Sequence, residues 1–187
     1  MKEILAIEYA KLKKFAPIKV ILLIYIIIVP TFMYVASLFL NAFIFPALAT
    51  LLKKAPPKVW EFPEIWKFTF YSASWFHILV GVIIVMIISN EFTYKTSKQN
   101  IIDGMTKSQV IAGKLAIIVI LAAFLTIYNV LVALVFGFIN SSELGLYENI
   151  HYVFVFFFQT ICYCSLALFF VILIRHTVMS ILAFALY

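Results

Sequence analysis

Residues 18–40, 68–89, 115–139 and 152–174 are apolar runs almost free of charge, and they limit the fold more than any other feature. Each is long enough to cross about 30 Å of hydrocarbon as a helix, which takes roughly twenty residues. Strands of a membrane barrel would instead alternate polar and apolar positions over roughly ten residues. Lipid offers the backbone no hydrogen bonds, so long uncharged runs imply helices that satisfy their own. The whole chain is 66% hydrophobic and 12% charged, with a mean hydropathy of +1.13. A soluble domain is about half apolar and about a quarter charged. The expected fold class is an all-α polytopic membrane protein, a helical bundle forming a single transmembrane domain over residues 1–187.

The net charge of +6 would suggest nucleic acid in a soluble protein. Here the lysines flank the apolar runs, where they report topology and attraction to anionic lipid, so no nucleic-acid partner is expected. The leader with Lys19 at the edge of the first run carries five Lys or Arg, residues 90–114 four and Arg175 one, ten on one side; residues 53–67 carry four and residues 140–151 none. The richer side is expected to be cytoplasmic. That predicts a multi-pass protein of a bacterial inner membrane, with the N-terminus and residues 90–114 inside the cell. The leader is too long, and the first apolar run too extended, for a cleavable signal peptide. Cys162 and Cys164 stand two apart, on different sides of a helix, and read as small apolar fillers.

Within this layout, residues 1–17 are read as an amphipathic interfacial helix, with Ile4, Leu5, Leu12 and Phe15 on one side. A basic flank that only fixes orientation is the plainer alternative. Pro30 is expected to kink the first span. Residues 41–52, which contain Pro46, either extend that helix outward or lie flat. Residues 53–67 form a Pro-rich loop, and Trp60, Trp66 and Trp75 are expected to form a belt at the headgroup level. His77 reads as a hydrogen-bonded interior residue and Asn129 as a polar bond across a helix interface. Residues 177–187 begin a fifth apolar run only 11 residues long. At 1.5 Å per residue this covers roughly half a bilayer, so the chain is expected to continue beyond it.

Residues 90–114, NEFTYKTSKQNIIDGMTKSQVIAGK, are too long and too patterned for a bare connector. Glu91 follows the second span. A polar stretch with Lys95, Thr96, Lys98 and Gln99 leads to the apolar Ile101, Ile102 and Met105. Asp103-Gly104 predicts a helix stop and turn. Thr106 and Gln109 have the spacing of a capping box, in which each side chain answers the other's backbone N–H. A short amphipathic helix of this kind suits insertion into a groove on a soluble partner.

The pattern of a membrane-edge glutamate, a polar helix, a glycine turn and a T-x-x-Q-x-x-x-G-K step from Thr106 to Lys114 resembles the permease subunits of type-2 ABC transporters. It is especially similar to bacterial, Bacteroidetes-type versions. The resemblance covers the layout of the whole chain, but only this segment is specific. It implies a six-span fold in which Thr96 to Asp103 is the cytoplasmic coupling helix, docked on an ATPase. It assigns ATPase-docking roles to Glu91, Thr96, Lys98, Gln99, Ile101, Ile102, Asp103, Gly104 and Lys107. The family often shows a Gly-Thr step soon after the glutamate, whereas Tyr94-Lys95-Thr96 stands here. The implied function is export across the membrane, and the implied partners are an ATP-binding-cassette ATPase subunit and a second permease copy or paralogue. The chain has no phosphate-cradling G-x-x-x-x-G-K-[ST] loop, so ATP and Mg are expected on the partner, with no cofactor or metal here and no catalytic role.

Two other classes compete. An intramembrane enzyme would draw on His77, Tyr128, Asn129 and Gln159, but the chain offers no acid pair and no HExxH. A non-transporting scaffold or assembly factor coupled to an ATPase would use the same layout.

Overall fold

The structure, a computed structural model, describes residues 16–52, 59–94, 96, 99, 102, 104, 106–140 and 147–186. Helix α1 (Ala16–Phe39) passes through a π turn (Leu40–Ile44) into α2 (Phe45–Leu52). Helices α3 (Glu64–Ser74), α4 (His77–Thr93), α5 (Lys107–Asn140), α6 (His151–Ile174) and α7 (Thr177–Leu186) follow. Among the described residues, Ala16–Ala47, Lys107–Asn140 and His151–Ile174 are long and apolar enough to cross a membrane. The broken pair α3 and α4 makes a fourth if taken as one span. The described residues are all-helical, and the chain is a multi-pass membrane protein. The expected interfacial helix falls largely on residues 1–15, outside the described residues.

The residues divide into two units, one of residues 1–24, 77–125 and 157–187 and the other of 25–76 and 126–156. In the first unit α4 is the buried element. Val80, Gly81, Ile83, Ile84, Val85, Ile87 and Ile88 are all buried, while Val82 and Met86 are half-buried and Ile78 is 45% exposed on the remaining side. So wide a buried face is that of a helix packed against several others. Ile117, Ile118 and Ala122 of α5, Ala167 and Val171 of α6, and Phe184 of α7 complete this core.

In the second unit Tyr25, Val29 and Met33 of α1 are buried at a spacing of four, one stripe of the helix. Asn129 Nδ2 donates to the Tyr25 hydroxyl at 3.0 Å, the bond across helices expected of a buried Asn. Trp60 packs on Phe68 with ring centroids 4.4 Å apart, and Phe70 on Phe156 at 5.2 Å. The expected tryptophan belt is therefore corrected. Trp60 and Trp66 are buried in this aromatic cluster, and only Trp75 is exposed, at 67%. A Trp beside Phe-rich helices buries more area inward than it would at the headgroups.

Two proline sites show how the backbone is kept satisfied. Pro30 has no N–H, so the carbonyl of Ile26, four residues earlier, loses its helical donor. The Tyr128 hydroxyl of α5 donates to that carbonyl. Neighbouring helices commonly satisfy groups freed in this way. Helix α1 accordingly runs unbroken through Pro30. A π turn follows at Leu40–Ile44, just before Pro46, where a widened turn accommodates the second proline ring. Residues 41–52 therefore continue the helix through the π turn into α2. Tyr128→Phe should cost about 1 kcal/mol of stability by stripping the Ile26 carbonyl. In a Pro30→Ala background it should cost much less, because the substituted alanine supplies its own N–H. Thermal unfolding of the four proteins of this cycle checks it, and additive effects would contradict this account of the proline.

The second span, expected to be continuous over residues 68–89, is broken at Trp75–Phe76. Ser74 Oγ donates to the Phe70 carbonyl at 2.8 Å. Trp75 and Phe76 then donate back three residues, to Ser72 and Ala73. Serine back-bonding and a tightened final turn are recognised causes of a helix break.

Candidate functional site

The polar segment between α4 and α5 leaves and returns through a fixed base. Glu91 lies in the last turn of α4 and Lys114 in the second turn of α5, 23 residues apart in sequence. Lys114 Nζ donates to Glu91 Oε2, and the two side chains are only 8% and 5% exposed. Two charges buried separately would each cost several kcal/mol; buried together they offset one another. The pair thus ties the end of one helix to the start of the next.

On the side of α4, Thr93 Oγ1 donates to the Ser89 carbonyl at 3.1 Å, and the Tyr94 N–H to the Asn90 carbonyl at 3.0 Å, finishing the helix. On the side of α5, the Thr106 N–H donates to Gln109 Oε1 at 2.8 Å and the Gln109 N–H to Thr106 Oγ1 at 3.3 Å. This is the expected capping box, and it satisfies two of the donors that a helix start leaves open. It lets α5 begin at Lys107, inside the polar segment. At 1.5 Å per residue the 34 residues of α5 reach roughly 50 Å, well beyond the hydrocarbon thickness.

Between these ends, Thr96, Gln99 and Ile102 are helical. Ile102 is 77% exposed. Gly104 sits in a turn at φ +100°, a conformation glycine adopts without strain, as its place after the polar helix predicted. Lys107 is exposed at the first position of α5. Lys98, Ile101 and Asp103 lie outside the described residues. Of the predicted docking residues, Glu91 stands apart: it is buried and held by Lys114 rather than presented to a partner.

Lys114 is the residue that sequence reasoning missed as a site member. It reads as the lysine of a bare Gly-Lys step where the chain returns to the membrane. The available signal was charge placement: a lone carboxylate ending one span and a lone ammonium opening the next are each expensive at membrane depth unless paired.

The same unit holds further polar bonds across helices. Ser89 Oγ meets Thr177 Oγ1 between α4 and α7. His77 is buried, with Nε2 3.0 Å from Thr160 Oγ1 and its ring stacked on Tyr163 at 5.0 Å. His77 is thus the interior hydrogen-bonded residue that its setting predicted. Among the described residues no group of three His, Cys, Asp or Glu is placed to hold a metal. Both cysteines are free, Cys162 exposed and Cys164 buried.

Comparison with protein-family models, with curated proteins and with solved structures finds no match.

Proposed function

We propose that this chain is the membrane-spanning permease subunit of an ATP-binding-cassette transporter, an exporter powered by a separate ATPase. In this reading two permease copies, or a copy and a paralogue, pair in a bacterial inner membrane with two ATPase subunits that hold ATP and Mg. The N-terminus and the segment between α4 and α5 face the cytoplasm. Thr96, Lys98, Gln99, Ile101, Ile102 and Asp103 form the helix that enters the ATPase, with Gly104 turning the chain and Lys107 beside it.

The observation that carries this reading is Ile102, a large aliphatic side chain 77% exposed within a polar helical stretch. Tyr94 and Ile111, in the residues flanking it, are also exposed, at 71% and 53%. A protein seated on this segment would cover all three side chains. The buried Glu91–Lys114 pair supplies what such a contact needs to transmit force. A push on the segment acts on the ends of α4 and α5 together, a rigid-body input to the spans.

Tagged full-length protein purified in mild detergent should bring down a Walker-motif ATPase in stoichiometric amount, with ATP turnover. Ile102→Asp should leave membrane insertion unchanged and lower recovery of the ATPase by at least roughly tenfold, since a buried aliphatic side chain contributes about 2 kcal/mol and a buried charge opposes binding. Unchanged complex formation and turnover in this variant would sink the docking role.

A further inference from the structure

Among the described residues of the first unit, His77 alone of the acidic and basic side chains lies well inside a span. Lys19, Glu91, Lys107, Lys114, Arg175 and His176 all stand at or near helix ends. His77 opens α4, directly after the break at Trp75–Phe76, near the middle of the span that α3 and α4 make as a pair. It is 3% exposed. An ionisable residue at this depth is costly, and where one is found it marks a proton or substrate pathway. Ion-coupling sites in membrane proteins recur near the midplane at discontinuous helices.

Helix α6 meets the imidazole with two groups. Thr160 is fully buried and places Oγ1 3.0 Å from Nε2. Tyr163, in the middle of α6, stacks its ring on the imidazole with centroids 5.0 Å apart and planes 17° apart. A spacing of three residues sets the two on one face of α6. Together they can hold the ring in either charge state. A hydroxyl donates to a bare nitrogen and, after turning about its C–O bond, accepts from a protonated one. A phenol ring within about 6 Å of a cation attracts it through its negative face. Helices α6 and α7 carry no Asp, Glu, Lys or Arg, and α4 carries none before Glu91. The titratable side chains that α6 brings to this level are Cys162, Tyr163 and Cys164. No fixed carboxylate or ammonium on these helices therefore locks the imidazole in one charge state. Tyr163 is 37% exposed, so the imidazole lies one ring away from the surface of the unit.

We propose that His77 is a proton-binding site within the membrane, with Thr160 and Tyr163 holding the ring both as imidazole and as imidazolium. The proton comes from water and adds to the ring nitrogen that lacks one. Where that nitrogen is Nε2, the Thr160 hydroxyl turns from donor to acceptor, and the bond between α4 and α6 is kept with its polarity reversed. Where it is Nδ1, Nε2 goes on donating to Thr160. In both cases the added charge draws the ring onto Tyr163. The contact of α4 with α6 tightens on proton uptake and loosens on release, immediately after the break in the second span. The site needs no partner, so it stands apart from the ATPase-docking reading.

The test is a titration of the full chain, carrying nitrogen-15 histidine in phosphatidylglycerol–phosphatidylethanolamine bilayers, by solid-state NMR of the imidazole nitrogens. The chain has three histidines, and the signals missing from His77→Gln are those of His77. As the pH is lowered from about 8 to 5, the window in which histidine changes charge, these signals should pass reversibly from the neutral to the imidazolium pattern. Tyr163→Leu keeps an apolar body beside the ring and removes the π face. Thr160→Val keeps the shape and removes the oxygen. Each should move the midpoint to lower pH by roughly half a pH unit or more, the worth of a cation–π contact or of a hydrogen bond to a charged group. A His77 that stays neutral throughout, one that stays charged throughout, or a midpoint unmoved by both variants would overturn the proposal. If Tyr163→Leu fails to fold, the unsubstituted chain and Thr160→Val decide it.

Discussion

Replacing Lys114 with methionine is expected to destabilise the protein by about 3–5 kcal/mol, the largest effect expected of any single change. Methionine keeps the length and apolar stem of the lysine, so little packing is lost. What is lost is the cation that offsets the Glu91 carboxylate, whose side chain is 5% exposed. A surface pair would be worth no more than about 1 kcal/mol, so the size of the loss distinguishes the two situations. In a chain of this length the fall in unfolding temperature should be on the order of 10 °C. Adding Glu91→Gln should recover more than half of the loss, because the buried carboxylate goes with its partner. A drop below about 1 kcal/mol, or a double variant worse than Lys114→Met alone, would show that the pair does not hold the base of the segment. Scanning fluorimetry in detergent is sufficient to read both.

The second large effect is expected at Gly81. A Cβ added there would lie 2.0 Å from Phe184 Cε1 and 2.2 Å from Cζ. Helices α4 and α7 come this close because position 81 has no side chain, as small residues allow in membrane helix pairs. Phe184 is itself buried, so its ring has little room to withdraw. Gly81→Leu should therefore destabilise by about 2–3 kcal/mol through overpacking. Phe184→Ala alone should also destabilise, by leaving a void. The double variant Gly81→Leu/Phe184→Ala should be more stable than either single one, since the new side chain occupies the space the ring vacates. Simple addition of the two losses would contradict this account of the packing. The Ser89–Thr177 contact is a separate tie between the same helices, so α7 should stay docked in each variant.

The apolar runs state the rough position of the long helices because hydrophobicity and length are local properties of the chain. The capping box at Thr106 and Gln109, the glycine turn at Gly104, and the polar interior roles of His77 and Asn129 were equally legible. Each depends on one residue type at one spacing. The break at Trp75–Phe76 was not, because Ser74 acts through backbone geometry that an apolar run conceals. Nor was the burial of Trp60 and Trp66, since an indole suits a headgroup belt and a packed aromatic cluster alike.

What the sequence determined by itself was a helical, multi-pass membrane chain with a patterned polar segment between two of its helices. Which charges meet was decided only by the tertiary structure. Lys114 pairs with Glu91 because two helix ends 23 residues apart in sequence are brought together. The same holds for the Tyr128 hydroxyl on the carbonyl freed by Pro30, 102 residues from Ile26 in sequence. A cost such as a buried charge or an unsatisfied carbonyl is visible in one dimension, but the group that relieves it is chosen by packing in three.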